Sequence, residues 1–217
     1  MELAETFNEE MEEVMTSLQS CASERIEMRA HECGVGKEGP GLTAVKPPMI
    51  WTSPATRCRV LADKLQRRLG ISEIRVDDRL AELHFGLWEG CRWDDLRGGA
   101  VDAWMRDPWN MRPPGGEAAW ELWERVKAFR DERRAEMACA RGVSEALKNT
   151  LIKSDEVSWI SGDGIVITHA GVIRAWRSLA ENRPWQELFA EKIALGSVWT
   201  VDMDDVGLIK GRRSKQR

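Results

Sequence analysis

Ile165-Val-Ile-Thr-His-Ala-Gly171 is the stretch on which the fold turns. Four β-branched residues lead into a histidine, a small residue and a glycine. The turn residues Ser161-Gly162-Asp163-Gly164 precede them, and the helix-like Val172-Ile173-Arg174-Ala175-Trp176 follows. A short, continuously apolar run bounded by turn residues reads as a buried central strand. Open α/β sheets bind ligands at the carboxyl ends of their strands, so a histidine placed there stands in a ligand position. The chain has only three histidines. By residue type alone, His169 is either ligand-facing or a core histidine satisfied by a backbone carbonyl.

Working outward, the pattern repeats. Met49-Ile50-Trp51-Thr52 reads as a strand ending at Ser53-Pro54. Thr56 to Leu69 reads as a helix with Val60, Leu61 and Leu65 facing inward, and Gly70 stops it. Ile71 to Val76 reads as a short strand. Residues 77–116 are irregular and rich in Trp, Asp and Gly, with a helix around Val101 to Met105. A long charged helix is expected from Glu117 to about Leu147, with a break near Arg141-Gly142, and a final strand near Ser197 to Met203. Apolar groups at Leu3, Phe7, Met11, Val14, Met15 and Leu18 form one stripe of an amphipathic helix over 2–19. A candidate strand follows from Arg25 to His31. Helices alternating with short apolar strands predict a three-layer α/β/α domain around a mostly parallel sheet. The expected organisation is an atypical segment over 1–46, the main body over 47–205 and a basic tail over 206–217, all in one globular domain.

Composition narrows the function classes. The 217 residues supply ample material for a core, and 31% are charged against 42% hydrophobic. A net charge of −4 argues against nucleic acid as a partner. No apolar run approaches the length needed to cross a membrane. The acidic start, MELAETFNEEMEEV, lacks the basic-then-apolar order of a secretory signal. The five cysteines are odd in number and scattered, without a Cys-x-x-Cys pair. They argue against a disulfide framework or zinc site, and for a reducing cytoplasm.

Four segments carry the chemistry: SPATRCRVLA at 53–62, DDRLAELHFGLWEG at 77–90, PPGGE at 113–117 and VITHAGVIRA at 166–175. In this order they resemble the histidine phosphatase superfamily, the phosphoglycerate mutase-like proteins, and their wording is most similar to alpha-ribazole phosphatases of cobalamin assembly. The resemblance spans about Pro47 to Asp205. It implies phosphoryl transfer to a histidine, then hydrolysis of the phosphohistidine, with a small phosphate ester as partner and neither metal nor other cofactor. It leaves room for a homodimer.

Each role follows residue by residue. Arg57, at the start of a helix, matches the family's phosphate-binding arginine; a guanidinium grips phosphate oxygens bidentately and the helix N-terminus assists. Glu82 matches the general acid, which protonates the leaving oxygen and then activates water. Such a carboxyl must stay partly protonated, and Leu83, Phe85 and Trp88 are placed to desolvate it. Glu89 is the rival acid in the same segment, and the family pattern favours Glu82. His84 is read as structural. His169 matches the second histidine, which donates a hydrogen bond to the phosphoryl group. PPGGE is read as pocket wall and helix start.

The first motif departs from the family, which carries Arg-His-Gly at the end of its first strand. The nearest match is Met28-Arg29-Ala30-His31-Glu32, with one residue between Arg29 and His31 and glutamate in place of glycine. Arg29 and His31 would share a strand face, since side chains alternate. Residues 32–48 hold four glycines and three prolines and leave no room for a crossover helix. By the resemblance, His31 is the nucleophile and Arg29 a phosphate ligand. Two other readings stand beside the phosphatase. One is a binding module that keeps Arg57, Glu82 and His169 without a working nucleophile. The other is a mutase, although mutases of this family usually carry longer lid insertions.

Overall fold

The computed structural model describes residues 49–96, 98–150, 164–194, 196–201 and 209–212. The helix expected over 2–19 and the strand expected over 25–31 lie outside the described residues; of the tail expected over 206–217, Ile209–Arg212 form a strand and the rest lie outside the described residues.

The chain runs β1 (Met49–Thr52), α1 (Thr56–Leu69), β2 (Ile74–Val76), α2 (Gly99–Arg106), α3 (Ala119–Thr150), β3 (Gly164–Ile167), α4 (Ala170–Glu181), α5 (Trp185–Phe189), β4 (Val198–Val201) and β5 (Ile209–Arg212). Short 3-10 turns occupy Asp78–Leu80 and Gly86–Trp88. The three strands β2-β1-β3 form a parallel sheet, while β4 and β5 form a separate antiparallel pair. Among the described residues, the edge of β3 away from β1 pairs with no strand.

Strand alternation sorts the side chains onto two faces. Ile50, Ile165 and Ile167 pack with Cys58, Ala62 and Leu65 of α1. Trp51 and Val166 face the other layer, against Leu122, Val126 and Phe129 of α3 and Val172, Ala175 and Trp176 of α4. The three-layer α/β/α expectation holds.

Local signals place most boundaries. Gly70 adopts a left-handed conformation at φ 63°, and its N–H returns to the Gln66 carbonyl, ending α1 where the sequence indicated. The inward face of α1 differs from expectation. Cys58, Ala62 and Leu65 are buried and Val60 is 43% exposed, because the i, i+4, i+7 stripe starts at Cys58. β2 begins only at Ile74; Ile71 instead tucks into the α1 core directly after Gly70. α3 runs through Arg141-Gly142 without a break. One glycine inside a long helix costs only about 1 kcal/mol, which neighbouring turns absorb.

Candidate active site

β1 and β3 end level with each other, because Thr52 is paired with Ile167. The Ser53 N–H extends the ladder by donating to the Ile167 carbonyl at 2.9 Å. Just beyond, the chain turns at Ser53-Pro54 into α1 and at Thr168-His169 into α4. Two helix N-termini therefore converge on the carboxyl edge of the sheet, each with unpaired N–H groups and a partial positive charge.

His169 stands at the centre of this edge, 8% exposed. Its Nε2 lies 2.8 Å from Ser53 Oγ and its Nδ1 lies 2.9 Å from an Arg57 guanidinium nitrogen. Arginine can only donate, so Nδ1 accepts and Nε2 carries the hydrogen, which it donates to Ser53. Ser53 Oγ also accepts from the Ala55 N–H at 3.3 Å. Burial first, then the charges of Arg57 and Arg125, push the His169 pKa down to about 4. The imidazole is neutral at pH 7, with its Nδ1 lone pair directed at Arg57. Cys58 Sγ sits 3.5 Å from Nε2, and burial raises its thiol pKa. Neither ring nitrogen of His169 bonds to a backbone carbonyl; one meets Ser53 and the other Arg57.

Glu82 reaches the same corner from the segment between the two 3-10 turns. Its Oε1 accepts from the Gly171 N–H at 3.1 Å, two residues beyond His169, and from its own neighbour Leu83 N–H at 2.9 Å. The carboxyl group is thus held at the N-terminus of α4, where the helix has donors to spare. The close approach requires glycine: a Cβ on residue 171 would stand 2.2 Å from Glu82 Oε1. Leu83 is buried, and Phe85 and Trp88 pack against the core beside it. Thr168 Oγ1 donates to the Leu80 carbonyl at 2.7 Å and ties this segment to the end of β3.

The remaining motif residues have local roles. Glu89 accepts from the Phe85 N–H at 2.8 Å and caps the turn at Gly86–Trp88. His84 keeps an exposed ring, and its backbone N–H and carbonyl both bond to Glu117. PPGGE walls the segment: a Cβ on Gly86 would stand 2.2 Å from the Pro114 carbonyl, and one on Gly116 would stand 2.3 Å from the His84 carbonyl. Arg57, Glu82 and His169 are therefore brought together, while Arg29 and His31 lie outside the described residues. Sequence reading missed Ser53, Cys58, Glu117 and Arg125. Ser53 and Cys58 lie inside a motif already quoted; Arg125 carries no local signal. Among the described residues no group of three or more His, Cys, Asp or Glu could hold a metal ion. No described helix is long and apolar enough to cross a membrane.

The family description "Histidine phosphatase superfamily (branch 1)" matches residues 37–210, a segment that begins beyond Arg29 and His31. Among solved structures, the alpha-ribazole phosphatase from Shigella flexneri is 16% identical with a TM-score of 0.53, over 77% of this chain and 73% of that one. Bacillus stearothermophilus YhfR is 22% identical with a TM-score of 0.52, over 78% and 74%. A mycobacterial glucosyl-3-phosphoglycerate phosphatase is 25% identical with a TM-score of 0.49, and the match covers 66% of this chain and 61% of that protein. No protein of curated function matches.

Proposed function

The chain belongs to the histidine phosphatase superfamily, branch 1, and from that premise we propose that it is a phosphomonoesterase that hydrolyses a small phosphate ester through a phosphohistidine. The observation that carries this reading is the convergence of Arg57, His169 and Glu82 on two helix N-termini at one sheet edge. A dianionic phosphoryl group entering there meets a guanidinium, a neutral imidazole and free backbone donors. It draws Arg57 off Nδ1, and the imidazole gains a proton beside the dianion and donates to it.

His31 is the proposed nucleophile. Its nitrogen attacks phosphorus, the ester P–O bond breaks, and Glu82 in its acid form gives its proton to the departing oxygen. The resulting carboxylate then takes a proton from water as that water attacks phosphorus, and the P–N bond breaks to release phosphate and free histidine.

Alpha-ribazole 5'-phosphate is the substrate put first, on the wording of the four motifs. A second reading, a phosphate-binding module without turnover, is favoured by the family match beginning after His31. One assay separates them: metal-free hydrolysis of p-nitrophenyl phosphate and alpha-ribazole 5'-phosphate by wild type, His31→Ala and His169→Ala. Loss of turnover in both variants supports the phosphatase. Full activity in His31→Ala removes His31 as nucleophile. Absence of hydrolysis in the wild type, with thermal stabilisation by inorganic phosphate, selects the binding module.

A further inference from the structure

We propose that Arg125, on α3, is the positioning residue that sets Glu82 at the N-terminus of α4; this rests on the reading of Glu82 as the general acid. The segment Ala81–Phe85 has neither helix nor strand to hold it. Its backbone carbonyls are gathered instead by one guanidinium. Arg125 donates through one terminal nitrogen to the Arg79 carbonyl at 2.7 Å and the Ala81 carbonyl at 2.8 Å, and through the other to the Glu82 carbonyl at 3.1 Å. Glu117 completes the brace. It accepts from Arg125 at 2.6 Å and from the His84 N–H at 3.0 Å, and its own N–H donates to the His84 carbonyl at 2.9 Å.

The brace is anchored in the core. Leu122, Val126 and Phe129 of α3 are fully buried around Arg125, whose side chain is 21% exposed against 18% for Glu117. A planar fork holds the carbonyls of residues 79, 81 and 82 and the Glu117 carboxylate at once from two separated nitrogens; an ammonium has three donors on one nitrogen and cannot span all four acceptors. The carboxylate of Glu82 has one hydrogen-bond partner beyond its own segment among the described contacts, the Gly171 N–H. A shift of the backbone at residue 82 therefore moves the acid directly relative to the leaving oxygen. Among the described hydrogen bonds Arg125 reaches the Glu82 backbone and not its carboxylate, so it acts on Glu82 through the backbone, while its charge also bears on His169.

The test uses the full chain with Arg125→Met, Arg125→Lys and Glu82→Gln. One readout is independent of turnover. First-turn helix N–H groups have no intrahelical acceptor, so protection of the Gly171 amide from hydrogen exchange reports the Glu82 carboxylate. Exchange at Gly171 is expected to rise about ten-fold or more in both Arg125 variants, with the Val126 and Phe129 amides unchanged. The other readout is kcat on p-nitrophenyl phosphate against p-methoxyphenyl phosphate, whose leaving oxygen needs the proton more. The loss is expected to be about ten-fold greater on the second substrate in both Arg125 variants, with Glu82→Gln showing the same bias. Unchanged Gly171 exchange, or equal losses on both substrates that follow the melting temperature, overturns the proposal. A Glu82→Gln variant without the bias removes the acid assignment instead, and Gly171 exchange still decides the role of Arg125. If Arg125→Met does not fold, Arg125→Lys carries both readouts.

Discussion

Replacing Gly171 with alanine should displace Glu82, the proposed general acid, while leaving the fold standing. The new Cβ would stand 2.2 Å from Glu82 Oε1 and 3.1 Å from Leu122 Cδ2. The leucine contact eases with a shift of a few tenths of an ångström. The carboxylate must retreat by about 1 Å to reach ordinary contact distance, and in doing so it gives up its bond to the Gly171 N–H. Losing a charged hydrogen bond costs about 1.5–3 kcal/mol, offset by up to about 1 kcal/mol from alanine's better helix propensity. The net loss of about 0.5–3 kcal/mol lowers Tm by roughly 1–12 °C in a chain of this size. Catalysis suffers more, because misplacing a reacting group by about 1 Å can cost on the order of 100-fold. The assay is kcat on p-methoxyphenyl phosphate together with a thermal melt. Activity within three-fold of wild type at an unchanged Tm refutes the placement of the acid; collapse of the fold refutes the claim that only a mobile side chain is in the way.

Three further outcomes follow from the same geometry. Folded His169 takes its proton only near pH 4, against an ordinary value of 6.5, so between these pH values the unfolded chain binds more protons. Stability present above pH 6.5 is therefore lost as pH falls to 4, on the order of 2–3 kcal/mol. Thermal melts across that window should show the fall in wild type, and a steep fall surviving intact in His169→Gln would contradict the cause. Arg57→Lys keeps the charge but loses the fork, and should weaken inorganic phosphate binding about ten-fold by calorimetry; unchanged affinity would remove Arg57 from the phosphate site. Cys58 is buried with a raised pKa while Cys91 is exposed. A thiol reagent at pH 7 should label Cys91 in the native protein and reach Cys58 only on unfolding, read by peptide mass, and rapid native labelling of Cys58 would contradict its burial.

Much of the fold was legible because its signals are local. The β-branched run at 165–167, the strand at 49–52 and the glycine after Leu69 each encode backbone preference within a few residues. The inward face of α1 was misread at Val60 because two adjacent apolar residues, Val60 and Leu61, outweighed the stripe through Cys58, Ala62 and Leu65. The break expected at Arg141-Gly142 assumed that local helix propensity decides, whereas α3 is held by packing along its first half.

By itself the sequence determined the alternation of strand and helix, the strand-end position of His169, and the motifs holding Arg57 and Glu82. Those properties depend on neighbours in the chain. Only the tertiary structure decided that Arg57 fixes the His169 tautomer across 112 residues, and that Glu82 meets Gly171 across 89. It likewise decided that Arg125 gathers carbonyls more than 40 residues away. Such contacts depend on strand register and on how α3 crosses the sheet, and neither leaves a periodic trace in the residues themselves.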